Sequence, residues 1–159
     1  MKRRALLTAL GTASATSLAG CSGLFDDELP AGSLHLENRH NLPHLVGMTV
    51  TDVGSDGVRT DDGYDVRGTV TVRPDQRRLK TSISVAPDEI KTFEAVFTEP
   101  VTYLVEFTVD GTGPENAVYP FSPGISSRGN YTYLDAEVYG GGEFSASLAT
   151  TDVSGPFDD

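Results

Sequence analysis

The chain has 159 residues, with 23 Asp plus Glu against 12 Lys plus Arg and a formal net charge of −11. That length suits one domain, and the charge excludes a nucleic-acid binder working through a basic surface, which must neutralise phosphate. The single cysteine, Cys21, excludes an internal disulfide framework and any multi-cysteine zinc or iron–sulfur site.

In chain order, residues 1–20 read first, as an export signal peptide. Lys2, Arg3 and Arg4 precede an uncharged run of Ala, Leu, Thr, Ser and Gly from Ala5 to Leu18. A bilayer span needs about 20 apolar residues, so the run is too short to cross. A basic start, a short apolar middle and then small residues are the layout of a secretory signal. Leu18-Ala19-Gly20-Cys21 resembles the prokaryotic lipobox. That resemblance implies that the Cys21 thiol is thioether-linked to a diacylglyceryl group and becomes the new N-terminus. Arg3-Arg4 resembles the twin-arginine export signal of proteins that fold before crossing the membrane. Ala5-Leu6-Leu7 stands where the fuller motif has a polar residue and then Phe. An ordinary basic signal, or an unlipidated one, is the alternative.

Loss of residues 1–20 removes three positive charges from −11, leaving −14 over 139 residues. Residues 21–32 follow as the lipidated cysteine and a flexible leash. Two acyl chains anchor stably where one is marginal. Ser22 to Gly32, fully extended, reach at most about 38 Å, and anionic lipid repels Asp26-Asp27-Glu28. After the signal the lysines are Lys80 and Lys91. Such an acidic bias keeps a protein hydrated in strong salt, which screens its self-repulsion. A moderately acidic extracytoplasmic protein from low salt is the other reading.

From residue 33 onward no window keeps helical periodicity for three turns without Gly, Pro or β-branched interruption, whereas alternation recurs. The apolar rows are Leu34 and Leu36; Val46, Met48 and Val50; Tyr64, Val66, Val70 and Val72, interrupted by Gly68; and Ile83 and Val85, stopping at Pro87. Then come Phe93, Ala95 and Phe97; Tyr103, Val105, Phe107 and Val109; and Tyr119 and Phe121. Last, Leu134, Ala136 and Val138 are expected to pair across Gly140-Gly141-Gly142 with Phe144, Ala146 and Leu148. Asp56-Gly57, Asp62-Gly63, Asp110-Gly111 and Pro123-Gly124 are turn signals between rows. Short strands with one apolar face predict an all-β fold, an antiparallel two-sheet sandwich of about seven to nine strands. It is expected to span residues 33–150, with 151–159 an acidic tail.

Thr102-Tyr103-Leu104-Val105-Glu106-Phe107 resembles the F strand of immunoglobulin-like domains, whose corner tyrosine hydrogen-bonds back across a turn. Val105 stands where an antibody domain has its second cysteine. Pro100 and Val101 replace the Asp and Gly usual before that tyrosine, so a plain buried strand tyrosine is the alternative. The Arg pair, the Leu-Ala-Gly-Cys box, Leu36-Glu37-Asn38 running on to His44 and the strand from Tyr103 together resemble haloarchaeal twin-arginine-exported lipoproteins with an immunoglobulin-like β-sandwich. The resemblance implies an extracytoplasmic location on the membrane and supplies no catalytic residue.

Four groups of residues are candidates for chemistry. His35, His40 and His44 are all the histidines, and imidazole is a common ligand for zinc or copper. Residues 35 and 40 would face opposite ways on one continuous strand. Pro43 and the polar Asn38 to Asn41 predict a turn that puts His40 and His44 on its two sides, as polar turn residues rather than ligands. A type 1 copper site needs a Cys thiolate among its later ligands, and none follows Cys21. Asp52, Asp56, Asp61, Asp62 and Asp65 crowd one hairpin, where Gly54, Gly57 and Gly63 would permit the bends calcium needs. Solvated acids on a salt-adapted surface account for them as well. Asn130-Tyr131-Thr132 is a glycosylation sequon. Arg73, Arg77, Arg78 and Lys80 form a basic island, which either grips an acidic partner through Arg or balances neighbouring acids.

Hydrolase, phosphate-loop and metalloprotease motifs are missing, and lipidation would consume the one thiol nucleophile. The expectation is therefore a non-catalytic, lipid-anchored surface protein with a binding or structural domain. No cofactor is implied, and the partners are the membrane and a protein or surface-layer component. A solute- or metal-binding lipoprotein, or an accessory subunit of a membrane complex, is the alternative.

Overall fold

Most of the alternating rows become strands because period-2 apolar residues fall on one side of the pleat and bury together. The computed structural model describes residues 28–54, 58–59, 63, 65–66, 72–114, 117–124 and 131–157. Arg3, Arg4, Leu18, Ala19, Gly20, Cys21 and Asn130 lie outside these residues, as do Asp56, Asp61 and Asp62 of the acid cluster and Tyr64 and Val70 of the third row.

Among the described residues the strands are β1 (Leu34–Asn38), β2 (His44–Val53), β3 (Val58–Arg59), β4 (Asp65–Val66), β5 (Lys80–Val85), β6 (Glu89–Phe93), β7 (Tyr103–Val109), β8 (Val118–Phe121), β9 (Tyr131–Val138) and β10 (Phe144–Thr151). Two four-stranded sheets, ordered β10-β9-β1-β6 and β5-β2-β7-β8, make a two-sheet β-sandwich, with β3-β4 a separate ribbon. The all-β sandwich expected from alternation is the fold. One pairing departs from the antiparallel rule: β1 runs parallel to β9, with Leu34 beside Leu134 and Asn38 beside Val138. Parallel neighbours need a long crossover, and here the chain builds the other sheet before it returns.

The inward faces fill one core. Leu34, Leu36, Leu134, Ala136 and Val138 from the first sheet meet Val46, Met48, Val85, Val105 and Phe107 from the second, all at most 1% exposed. Burial of each such aliphatic or aromatic side chain contributes roughly 1.5–3 kcal/mol. Phe144 opposes Val138, Ala146 opposes Ala136 and Leu148 opposes Leu134, the hairpin register expected across the three glycines.

The row Phe93-Ala95-Phe97 is not one strand. β6 ends at Phe93, and Ala95 sits at φ +52, in a conformation that breaks the ladder. Phe97 still reaches the core, fully buried edge-on against Tyr103 and Phe121 at centroid distances of 5.0 and 4.8 Å. A loop thus delivers the apolar residue that alternation assigned to a strand.

Tyr103 makes the corner that its resemblance implied. Its hydroxyl accepts the Glu99 N–H at 3.0 Å, four residues upstream, and donates to Gln76 Oε1 at 2.8 Å. Gln76 in turn accepts the Thr98 N–H and donates to the Val96 carbonyl, so one buried side chain ties two loops to the sheet.

Both ends of the described chain meet at one end of the sandwich. Ala31 N–H donates to the Val153 carbonyl, and the Asp152 N–H to Glu28 Oε1. Ala31, assigned to the leash, is fully buried, and Phe157, in the tail segment, stacks on Tyr131. β1 leads away from this near end. Asn38, Val85, Glu89, Val109 and Val138 close their strands at the far end.

Candidate functional site

The far end carries the histidines. β1 stops at Asn38 because its carboxamide turns inward: Oδ1 accepts the His40 N–H at 3.0 Å, and Nδ2 donates to the Leu42 carbonyl at 2.9 Å. Such an Asx turn folds residues 39–43 back over the start of β2. His40 Nδ1 then stands 2.7 Å from His44 Nε2.

The third member comes from a distant hairpin. Asp110 and Gly111, at φ +51 and +81, form a two-residue turn in which Val109 and Thr112 exchange N–H···O bonds of 2.8 and 2.9 Å. Positive φ at both central residues is the turn an Asp-Gly pair favours between twisted strands. Asp110 pairs with Leu45 through two bonds: Oδ1 accepts the Leu45 N–H, and the Asp110 N–H donates to the Leu45 carbonyl, each at 2.9 Å. Oδ2 takes His44 Nδ1 at 2.7 Å.

Proton positions follow from the acceptors. A carboxylate only accepts, so His44 carries a hydrogen on Nδ1, and while the ring is neutral its Nε2 is a lone pair. His40 must then donate from Nδ1, which leaves its Nε2 as the outer nitrogen, beside Gly142 of the β9–β10 turn. The His44 side chain is 11% exposed and Asp110 55% exposed. The Leu45 N–H, and then His44, hold the Asp110 carboxyl below the usual aspartate range. The line can hold and pass protons and can tie the β1–β2 loop to the β7–β8 turn through the first residue of β2. It borders an open cleft of about 590 Å³, lined by His44, Asp110, Thr112 and Glu143 over Val109 and Phe144.

His35 does not join. It lies on β1, with Nδ1 3.4 Å from Thr92 Oγ1 of β6. β1 ends at Asn38, so His35 and His40 do not share a strand, and His35 stands apart from the His40–His44 pair. Among the described residues no group of three or more His, Cys, Asp or Glu side chains is placed to hold a metal. Of the acid cluster, Asp52 accepts its neighbour Val53 N–H through Oδ1.

The basic island is spent largely on its own fold. Arg73 binds Glu99 Oε1 at 2.8 Å and Thr98 Oγ1, while Arg77 Nε donates to the Val72 carbonyl at 2.9 Å. Arg78 and Lys80 are exposed.

Exposed apolar side chains favour the far end. Of the six large apolar side chains exposed among the described residues, Leu42 (56%), Leu45 (48%), Ile90 (57%) and Tyr139 (41%) stand in its loops or within two residues of its strand ends, whereas Leu148 lies along β10 and Val153 at the near end. Sequence reasoning marked Asp110 only as a turn residue. Its link to His44 spans 66 positions and leaves no local signal. No protein-family model, curated protein or solved structure matches the chain. Among the described residues no helix is long and apolar enough to cross a membrane.

Proposed function

We propose that this is a non-catalytic extracytoplasmic lipoprotein of the haloarchaeal twin-arginine type, whose sandwich presents its far end to a partner. Arg3 and Arg4 direct export, and cleavage follows Leu18-Ala19-Gly20. The diacylglyceryl group on Cys21 then holds the protein to the outer face of the cell membrane.

One observation carries the reading. Ala31, ten positions from Cys21, is bonded at the near end, while Leu42, Leu45, Ile90 and Tyr139 are exposed at the far end. Apolar groups left in water around one end are characteristic of a contact surface. A tether at the near end keeps that surface pointing away from the bilayer, and the acidic leash resists lying flat on anionic lipid.

The test is photo-cross-linking in native membranes at working salt, with benzoylphenylalanine at Leu42 or, as the control, at Leu148 of β10. Cross-links to a defined protein or surface-layer component from position 42 and not from 148 support presentation. If that component belongs to a stable membrane complex, the protein is its accessory subunit. Equal labelling from both positions, or none from 42, overturns the proposal.

A further inference from the structure

The line Asp110–His44–His40 is left unused by anchoring and presentation. Its two rings meet through their nitrogens: the centroids are 4.9 Å apart while Nδ1 of His40 and Nε2 of His44 are only 2.7 Å apart. Two imidazole nitrogens on a tetrahedral zinc, each at about 2.0–2.1 Å, stand about 3.3 Å apart. The contact here has the length of a shared hydrogen rather than of a chelate.

We propose that this line is a proton-counting clasp. It holds residues 39–43 against the β7–β8 turn while the two imidazoles together carry at most one positive charge, and it opens when both are protonated.

With both rings neutral, His44 Nδ1–H donates to Asp110 and His40 Nδ1–H donates to His44 Nε2. The first added proton goes to His40 Nε2, the outer nitrogen. The pair then carries one charge, and the single hydrogen between His40 Nδ1 and His44 Nε2 makes a charge-assisted bond, so the clasp tightens. The second proton has only His44 Nε2 to occupy. It sets N–H against N–H and presses two positive rings together, and the bond is lost.

The surrounding charges are consistent with this count. Asp110 faces His44 from the β7–β8 turn, and Glu143 lines the same cleft from the β9–β10 turn. Arg39, next to His40, is held by Glu37 and Glu137 at 2.8 and 3.1 Å. Glu89 of β6 is held by the Ala86 N–H, and β5 presents the uncharged Val85 opposite His44. No described cation faces the pair unpaired, so the repulsion that opens the clasp comes from the rings themselves.

The inference rests on this geometry and not on lipid anchoring. Its test is imidazole ¹⁵N NMR on the full chain from about pH 8 to pH 4, the window of histidine ionisation, with hydrogen exchange at the His40 amide. Both rings are expected to carry their hydrogen on Nδ1 at the upper limit and to titrate in two separated steps. His40 amide protection, corrected for intrinsic exchange, should hold through the upper step and fall by about tenfold or more through the lower. His40→Ala should leave His44 titrating in one step, with the amide at position 40 poorly protected at every pH. An Nε2–H tautomer on His44, a single unsplit step for both rings, or protection unchanged across the range overturns the proposal. Should His40→Ala not fold, the wild-type titration decides alone.

Discussion

The side-chain amide of Asn38, at the end of one sheet, donates to the Val85 carbonyl, at the end of the other, across 3.1 Å. The same nitrogen reaches the Ala86 and Leu42 carbonyls at 3.0 and 2.9 Å, and Asn38 is fully buried. Asn38→Ala removes the donor to one buried carbonyl, Val85, and to two part-buried ones, and a buried acceptor costs about 1–3 kcal/mol when unsatisfied. A net loss of about 2–3 kcal/mol is expected, read as a lower denaturant midpoint at unchanged slope. An unchanged midpoint would show that the two sheets do not depend on this link.

Tyr103→Phe keeps the buried ring and removes both hydroxyl bonds. The expected cost is about 1–3 kcal/mol. Burial pushes the Tyr103 phenol up to about 12, so the neutral form stabilises the fold fully below pH 10 and that contribution is lost as pH rises through the folded value. Ultraviolet titration should show a late phenol in the wild type that is missing from the variant. A variant with the same alkaline profile would show that the late phenol is not Tyr103.

Gly32 sits at φ +76, and a Cβ there would collide with the Phe97 carbonyl, whose own amide is bonded to Gly32. Gly32→Ala is expected to cost about 1–3 kcal/mol from backbone conformation alone, with the clash in addition. Thermal unfolding measures it. An alanine variant as stable as wild type would mean that this packing is loose.

Asp110 has its carboxyl held below the usual range, first by the Leu45 N–H and then by His44. A depressed folded value stabilises above the ordinary carboxylate range and is lost as pH falls through it. Carbon NMR of the Asp110 carboxyl should give a midpoint below 3.8, the ordinary value. The stability gap between wild type and Asp110→Asn should shrink with acid. A midpoint at 3.8 or above, or a gap independent of pH, contradicts the bonding.

For the anchor proposed at Cys21, Cys21→Ser should move the protein from the membrane pellet to the soluble fraction and block lipid-dependent processing. Retention in the pellet with unchanged processing counts against lipidation.

Much of the fold is legible in single rows. Leu34 and Leu36, Val46 to Val50, and Leu134 to Val138 alternate, and the pleat leaves such rows one way to bury. The glycine turn after Val138 set the β9–β10 register because hairpin pairing is local. Ala95 misled because its positive φ is imposed by the loop that carries Phe97 into the core, and alanine gives no sign of it. The site divides the same way. His40 and His44 were readable as two sides of a turn, while Asp110 and the Gln76 plug were not.

By itself, the sequence determined an acidic chain built of half-buried strands, with its apolar faces and several of its turns. These are local properties, carried by period, turn chemistry and charge within a few residues. Only the tertiary structure decided that β1 lies parallel to β9, that Asn38 reaches Val85 and that Asp110 orients His44. Those contacts span 47 or more positions, where chain closure, shared core volume and buried hydrogen bonds choose the neighbour and no local pattern encodes it.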